Sequence, residues 1–401
     1  MLFYAGLDWA KRAHAVCVLD QKGKVRARFE ISHTAEGMRE LTRKLLAFTR
    51  RGSLQVALER SSGLLVDTLL EAGLVVVPIH PNVVKATRAR YTASGAKTDP
   101  WDAYLLADLL RTDGHRFRPL QPLSDQTRAL RALVRSRDDL VAQRVALANR
   151  LRDLLEGFWP GAAAIFADVD SAISLAFLAR YPTPKEAQGL GEMRLKAFLV
   201  KNHYTGRRSP QQLLQRLRTS PSSHNPALEA QAKRELILAF SSVLRTLVVQ
   251  IKEIAIAIQR ALSTHPVAPI FTSLPCVGLI NAAQILSETG EDPHRFVSLD
   301  QICAEAGVCP VTYASGKHHA VGFRFACNKR LRRALTTFAD NSRRLSPWAA
   351  SLYSRARCRG KDHPHAIRIL ARAWLRVLWR CWINNTPYDP TRHTAAARLP
   401  A

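Results

Sequence analysis

Asp99 and Asp102 stand three residues apart in the run Ala96-Lys97-Thr98-Asp99-Pro100-Trp101-Asp102-Ala103. Proline suits the first helical position, which predicts Asp99 as the N-cap, Pro100 as the opening residue and Asp102 in the first turn. Tyr104, Leu105, Leu106, Leu109 and Leu110 then give the apolar side of a half-buried helix. Carboxylates at i and i+3 project from one end of one helix face. Placed so, they can grip a divalent cation through hard oxygen ligands. The same two acids equally suit an ordinary helix start, where the dipole favours negative charge.

Two further acids fall at strand ends. Leu2 to Leu7 is an apolar run closed by Asp8, and Gln55 to Leu58 is a short strand closed by Glu59. His14 to Leu19 and Val25 to Ile31 read as strands joined by the turn Asp20-Gln21-Lys22-Gly23. Helices are expected near 35–50 and 64–72, and a dense apolar strand at Leu74 to Ile79. Three strands followed by alternating helices and strands predict a mixed sheet with helices packed on it. If the strands of Asp8 and Glu59 are neighbours, both carboxylates emerge at one sheet edge beside the Asp99–Asp102 helix. Mg²⁺ accepts such ligands, and a pair of these ions stabilises attacking and leaving oxygens in phosphodiester chemistry. Taken singly, Asp8 and Glu59 also read as solvated strand ends.

Beyond a linker at Pro119 to Pro122, Leu133, Leu140, Leu147 and Leu154 recur every seven residues, with Val134, Val141, Leu151 and Leu155 widening the stripe. That is a coiled-coil pattern, ended by Trp159-Pro160-Gly161. A second long helix is expected from about Leu228 to Leu262, able to pair with the first as an antiparallel hairpin or to form a dimer interface. Between them, Lys201 to Arg208 is a basic, aromatic-containing segment that reads as a solvated loop or a nucleic-acid contact. Leu274 to Ala283 resembles the hairpin of a helix-hairpin-helix element, with Cys276 where glycine is usual. Ser315-Gly316 reads as a turn by composition. A serine hydroxyl becomes a nucleophile only in an activating field, and Lys317, Arg324, Lys329, Arg330 and Arg333 surround it in sequence. With Lys97, these cations are the candidate nucleic-acid contacts.

The chain of 401 residues has a net charge of +27 and is 47% hydrophobic. It is long enough for two or three cores, and its charge points to a polyanion, nucleic acid first. The seven cysteines are scattered singly, which predicts reduced thiols and a cytoplasmic setting. Asp8 breaks the apolar opening, against a signal peptide. No apolar run is long enough for a membrane span.

Gly6-Leu7-Asp8-Trp9-Ala10-Lys11, Leu58-Glu59 and Lys97-Thr98-Asp99-Pro100-Trp101-Asp102-Ala103 together resemble the DEDD transposases of the insertion-sequence-110 family. The resemblance covers nearly the whole chain. It implies a RuvC-like, RNase H-type α/β domain over 1–122, with Asp8, Glu59, Asp99 and Asp102 binding Mg²⁺. It further implies a coiled-coil region over 123–265 and a mainly helical C-terminal domain over 266–401 whose nucleophile matches Ser315. The partners it implies are donor and target DNA, a structured guide RNA and further copies of the chain. Two other readings remain at this stage: a Holliday-junction nuclease using metals and water, and a basic scaffold for RNA or DNA without catalysis.

Overall fold

A computed structural model describes residues 1–91, 98–221, 226–316 and 318–392. Contacts divide the chain into two units, Met1–Pro122 and Leu123–Ala401. Among the described residues no helix is long and apolar enough to cross a membrane.

The first unit runs β1 (Leu2–Trp9), β2 (Ala13–Asp20), β3 (Val25–Ser32), α1 (Ala35–Thr49), β4 (Ser53–Leu58), α2 (Leu64–Glu71), β5 (Val75–Pro78), α3 (Pro81–Arg88) and α4 (Asp99–Asp113). The sheet order is β3-β2-β1-β4-β5. β2 is antiparallel to β1 and β3, while β4 is parallel to β1 and to β5. The β2–β3 turn is fixed by the Asp20 carboxylate, which accepts from the amides of Lys22 (2.9 Å) and Lys24 (3.0 Å) and from Arg26 Nε (2.8 Å). Gly23 takes the left-handed φ of +81° that closes it.

Alternation along the strands splits the apolar residues between two layers. Leu7, Val16, Val18 and Ile31 bury against Leu41, Leu45, Leu65 and Leu69 of α1 and α2. On the opposite face Ala15, Cys17 and Leu19 pack with Ala103 and Ala107 of α4, and Ala57 and Val77 with Leu106. Gly6 permits this approach: a Cβ there would stand 2.0 Å from the Ala103 carbonyl oxygen. α3 has no counterpart in the sequence pattern, because only Val84 of its eight residues is buried.

In the second unit, α5 (Asp125–Phe158) is followed by α6 (Pro160–Ala164), α7 (Ala172–Arg180), α8 (Glu192–Lys201), α9 (Pro210–Thr219) and α10 (Ala227–Ser263). Then come α11 (Ala268–Thr272), α12 (Leu279–Thr289), α13 (Leu299–Glu305), the strands β6 (Val311–Ser315) and β7 (His318–Gly322), α14 (Lys329–Ser342), α15 (Pro347–Cys358) and α16 (His363–Ile383). α5 and α10 pack antiparallel along their length, and each end of the pair carries a core. Leu151 and Leu155 join Ile237 and Leu244 with Phe177, Leu195 and Leu213 from the helices between. Leu130 and Val134 join Ile258 and Leu262 with Phe271, Ile285, Leu335 and Trp374. This second core crosses residue 265, where the resemblance had implied a domain boundary. The fully buried track of α5 runs through Leu130, Val134, Leu151 and Leu155, and the sevenfold leucines Leu133, Leu147 and Leu154 lie half-buried beside it.

Buried charges tie α5 to the C-terminal helices. Arg135 donates through two nitrogens, each at 2.8 Å, to the Glu288 carboxylate, which also accepts from Asn328 at 2.7 Å. Burial pushes the Glu288 carboxyl up, but these donors and the positive charge outweigh it and hold the carboxyl below its usual range. Asp138 likewise accepts from Gln284, Arg330 and Arg333.

Candidate active site

In the parallel pair β1–β4, Leu7 stands opposite Leu58. Asp8 and Glu59 follow in the same register, so both emerge at the end of adjacent strands. Since Leu7 buries toward α1 and α2, alternation within β1 turns Asp8 to the face where α4 packs, while Glu59 is the first residue past β4. Both acids are half-buried. Beside them, the Arg60 guanidinium sits 3.9 Å from the centre of the Trp9 ring, a cation–π contact that flanks the pair.

The head of α4 differs from expectation by one residue. Thr98, not Asp99, is the N-cap, and it makes no side-chain capping bond. Asp99 is therefore the first helical residue and Pro100 the second. The shift follows from the Asp102 amide bonding to the Thr98 carbonyl at 2.9 Å, which draws Asp99 into the helix. Asp99 is exposed, whereas Asp102 is only 3% exposed. Arg88 Nη2 reaches Asp102 Oδ2 at 2.8 Å. A buried carboxylate needs such a partner, and α3 supplies it. Tyr91, next in line, donates to Asp108 at 2.5 Å and meets both Trp101 and Tyr104 edge-on. Burial, then the Asp108 bond, pushes the Tyr91 phenol well above its usual range.

A cleft of about 590 Å³ is lined by Lys11, Arg12, Ala15, Glu30 and Asp99. Ala15 pairs with Asp8 on one side and with Glu30 on the other, so the three lie in one cross-strand row. Arg88, Tyr91, Arg60 and Glu30 were not foreseen from sequence. The strand alternation could have found Glu30; the others depend on chain reversals that the pattern does not encode.

The donor set of Asp8, Glu59, Asp99 and Asp102 is all oxygen, which is the chemistry that hard divalent ions take. Among the described residues, however, no three acids, histidines or cysteines stand as a finished cage. Arg88 engages Asp102 through Oδ2, so an ion held by Asp102 would share the carboxylate with that guanidinium or displace it.

The second candidate lies in the other unit. β6 and β7 form an antiparallel hairpin with Ser315 opposite His318, and Gly316 follows at φ +55°. Ser315 is exposed at the hairpin tip. Lys317 and Lys97 lie outside the described residues. Arg324 donates to the Pro310 carbonyl at 3.4 Å, and Lys329 is exposed. Arg330 and Arg333 instead enter the Asp138 network, and Arg330 also pairs with Asp139 at 2.7 Å. Sequence reasoning missed the exposed aromatic residues here. Tyr313 is 59% and Phe325 78% exposed, while Phe323 lies under the guanidinium groups of Arg332 and Arg368, 4.6 and 4.9 Å from its ring centre. In the turn between α11 and α12, Cys276 holds φ +59° and Gly278 φ +67°. Cysteine thus adopts the left-handed backbone that glycine would favour, and the start of α12 carries no side-chain cap.

Comparison with known proteins matches residues 5–160 to the transposase family of DEDD type named for IS110. Residues 268–354 match the family described as Transposase IS116/IS110/IS902. The proposed mini-circle transposase for IS117 of Streptomyces coelicolor is 33% identical over 97% of this chain and 96% of its own. A 42 kDa protein of insertion element IS900 from Mycobacterium paratuberculosis is 28% identical over 98% and 99% of the two chains. T. thermophilus RuvC in complex with a Holliday junction substrate aligns over 30% of this chain and all of its own, at 14% identity and a TM-score of 0.23, a likeness too faint to build on.

Proposed function

Because this chain belongs to the IS110 family of transposases, we propose that it moves an insertion element by serine attack on DNA, assisted by Mg²⁺ and directed by a structured RNA. Asp8, Glu59, Asp99 and Asp102 are the residues that would hold the ion. When bound, it supplies positive charge to the phosphate oxygens as negative charge builds on them. The observation that supports this reading is the parallel register of β1 and β4, in which Leu7 stands opposite Leu58 and each is followed directly by an acid, Asp8 and Glu59.

Ser315 Oγ attacks phosphorus, forming a P–O bond to the protein as a P–O bond to a deoxyribose oxygen breaks. The departing sugar oxygen takes up a proton and leaves as a hydroxyl, and Ser315 gives its proton to solvent. In the second step a sugar hydroxyl of a partner strand gives up its proton and attacks the phosphoserine, the P–Oγ bond breaks and Ser315 leaves as a protonated hydroxyl, so the phosphodiester is restored without an outside energy source. Positive charge around the hairpin stabilises the crowded phosphate in both steps. Two duplexes and several cuts call for more than one Ser315, hence for an oligomer. The net charge of +27 suits both DNA and a guide RNA.

Ser315→Ala is the deciding variant. It removes one exposed hydroxyl, so DNA and RNA binding should stay near the original level. Strand cleavage with Mg²⁺, and any protein–DNA adduct that survives a denaturing gel, should both vanish. Cleavage at the original rate in this variant would make water the nucleophile and put a resolvase-like nuclease in place of the recombinase.

A further inference from the structure

A hydroxyl at the tip of an exposed two-stranded hairpin cannot hold a DNA strand still by itself. Side chains two apart on a strand share a face, so Tyr313 and Ser315 look out from the same side of β6. The positions beside Tyr313 on the partner strand are small: Ala320 stands opposite it, and Gly322 stands opposite Val311, whereas His318 stands opposite Ser315. The Tyr313 ring leans across Gly322, where a Cβ would come within 2.9 Å of ring atom Cε2. More than half of this tyrosine remains exposed. At the base of the hairpin, Phe323 and Phe325 meet edge-on at 4.9 Å between ring centres. Arg332 fixes that loop by donating to the Arg324 carbonyl at 3.1 Å.

An exposed ring on a bare backbone bed costs hydration unless something covers it. The cations of Arg324, Arg332 and Arg368 near the base favour a polyanion, and an aromatic face favours an unpaired base. We propose that Tyr313 is a stacking platform for a base of the DNA strand next to the phosphate that Ser315 attacks. Tyr313 is thus a positioning residue, and its assignment to DNA rests on the reading of Ser315 as nucleophile.

Photocrosslinking tests this directly. The probe is a short single-stranded oligodeoxythymidine carrying one 5-iododeoxyuridine, a base that couples to aromatic rings stacked on it. Full-length Ser315→Ala protein is irradiated with the probe, and the modified peptide is identified by mass spectrometry. The adduct is expected on Tyr313, to persist in Tyr313→Phe, to vanish in Tyr313→Ala and to weaken in Gly322→Ala, where the added methyl pushes the ring off its bed. In protein that retains Ser315, Tyr313→Ala should slow strand cleavage by about 5-fold or more, and Tyr313→Phe should not. An unchanged adduct in Tyr313→Ala, or one formed only elsewhere, overturns the proposal. So does an adduct seen with the matching 5-iodouridine RNA and not with DNA. The crosslink does not depend on catalysis. If Ser315→Ala still cuts DNA while Tyr313 crosslinks, the stacking site stands and only the nucleophile is reassigned.

Discussion

Asp99 and Asp102 share a helix turn but not an environment. Asp99 faces solvent, whereas Asp102 is buried and paired with Arg88 at 2.8 Å. Replacing Asp99 by Asn removes an exposed charge at the head of α4, so stability should change by no more than about 0.5 kcal/mol. Asp102→Asn breaks a charged hydrogen bond to Arg88 and should cost roughly 1.5–3 kcal/mol. If both acids hold the ion, both variants should lose Mg²⁺-dependent strand cleavage despite this difference in stability. Urea denaturation and a nicking assay on the same preparations separate the two effects. Full cleavage by Asp99→Asn would return that residue to a plain helix start. Arg88 could not be anticipated as a partner, because its contact spans fourteen residues and requires α3 to fold back on α4.

Among the elements, the sheet of the first unit was legible because strand alternation is short-range. Each apolar run ended where the observed strand ends, within a residue or two, and the acids at those ends followed. α3 was not legible, since its exposed polar face carries too few apolar positions for a helical period to register. The α5 seam was legible as a helix, and its stripe already held Val134, Leu151 and Leu155, but the sevenfold leucines taken as its centre lie to one side. A straight helix drifts about 20° per seven residues, so leucines repeated at sevens slide off the contact line. Spacings of three and four, as from Ala148 to Leu151 to Leu155, stay on it. Gly6 tests how α4 is seated. A Cβ at this position would stand 2.0 Å from the Ala103 oxygen and 2.4 Å from the Ala107 nitrogen, both backbone atoms that cannot rotate aside. Gly6→Ala should therefore destabilise the first unit by roughly 3 kcal/mol. Gly157, late in α5, has nothing within 4 Å of a Cβ, and Gly157→Ala should instead stabilise by roughly 0.5–1 kcal/mol. Equal effects of the two in thermal melts would mean that α4 can shift away from the sheet without loss.

For the whole molecule, the count of 59 lysines and arginines overstates the cations available to a polyanion. Some are spent inside the second unit, where Arg135, Arg330 and Arg333 neutralise the buried Glu288 and Asp138. Sequence proximity to Ser315 had placed Arg330 and Arg333 with Lys329 as nucleic-acid contacts, but a helix turns each residue by about 100°, so neighbours in sequence face different partners. Adjacent residues then make a sharp comparison. Lys329 is exposed at the head of α14, while Arg330 reaches Asp138 and Asp139. If Lys329 meets a phosphate, Lys329→Gln should lower the slope of log affinity against log salt by about 0.9 for duplex DNA, with the melting temperature unchanged. Arg330→Gln should leave that slope alone and cost roughly 1–2 kcal/mol of stability by loosening the hold on Asp138. Salt titrations of DNA binding, read beside thermal melts, distinguish the two roles. A slope that falls as much for Arg330→Gln as for Lys329→Gln, without loss of stability, would mean that the Asp138 network opens and hands its arginines to the DNA.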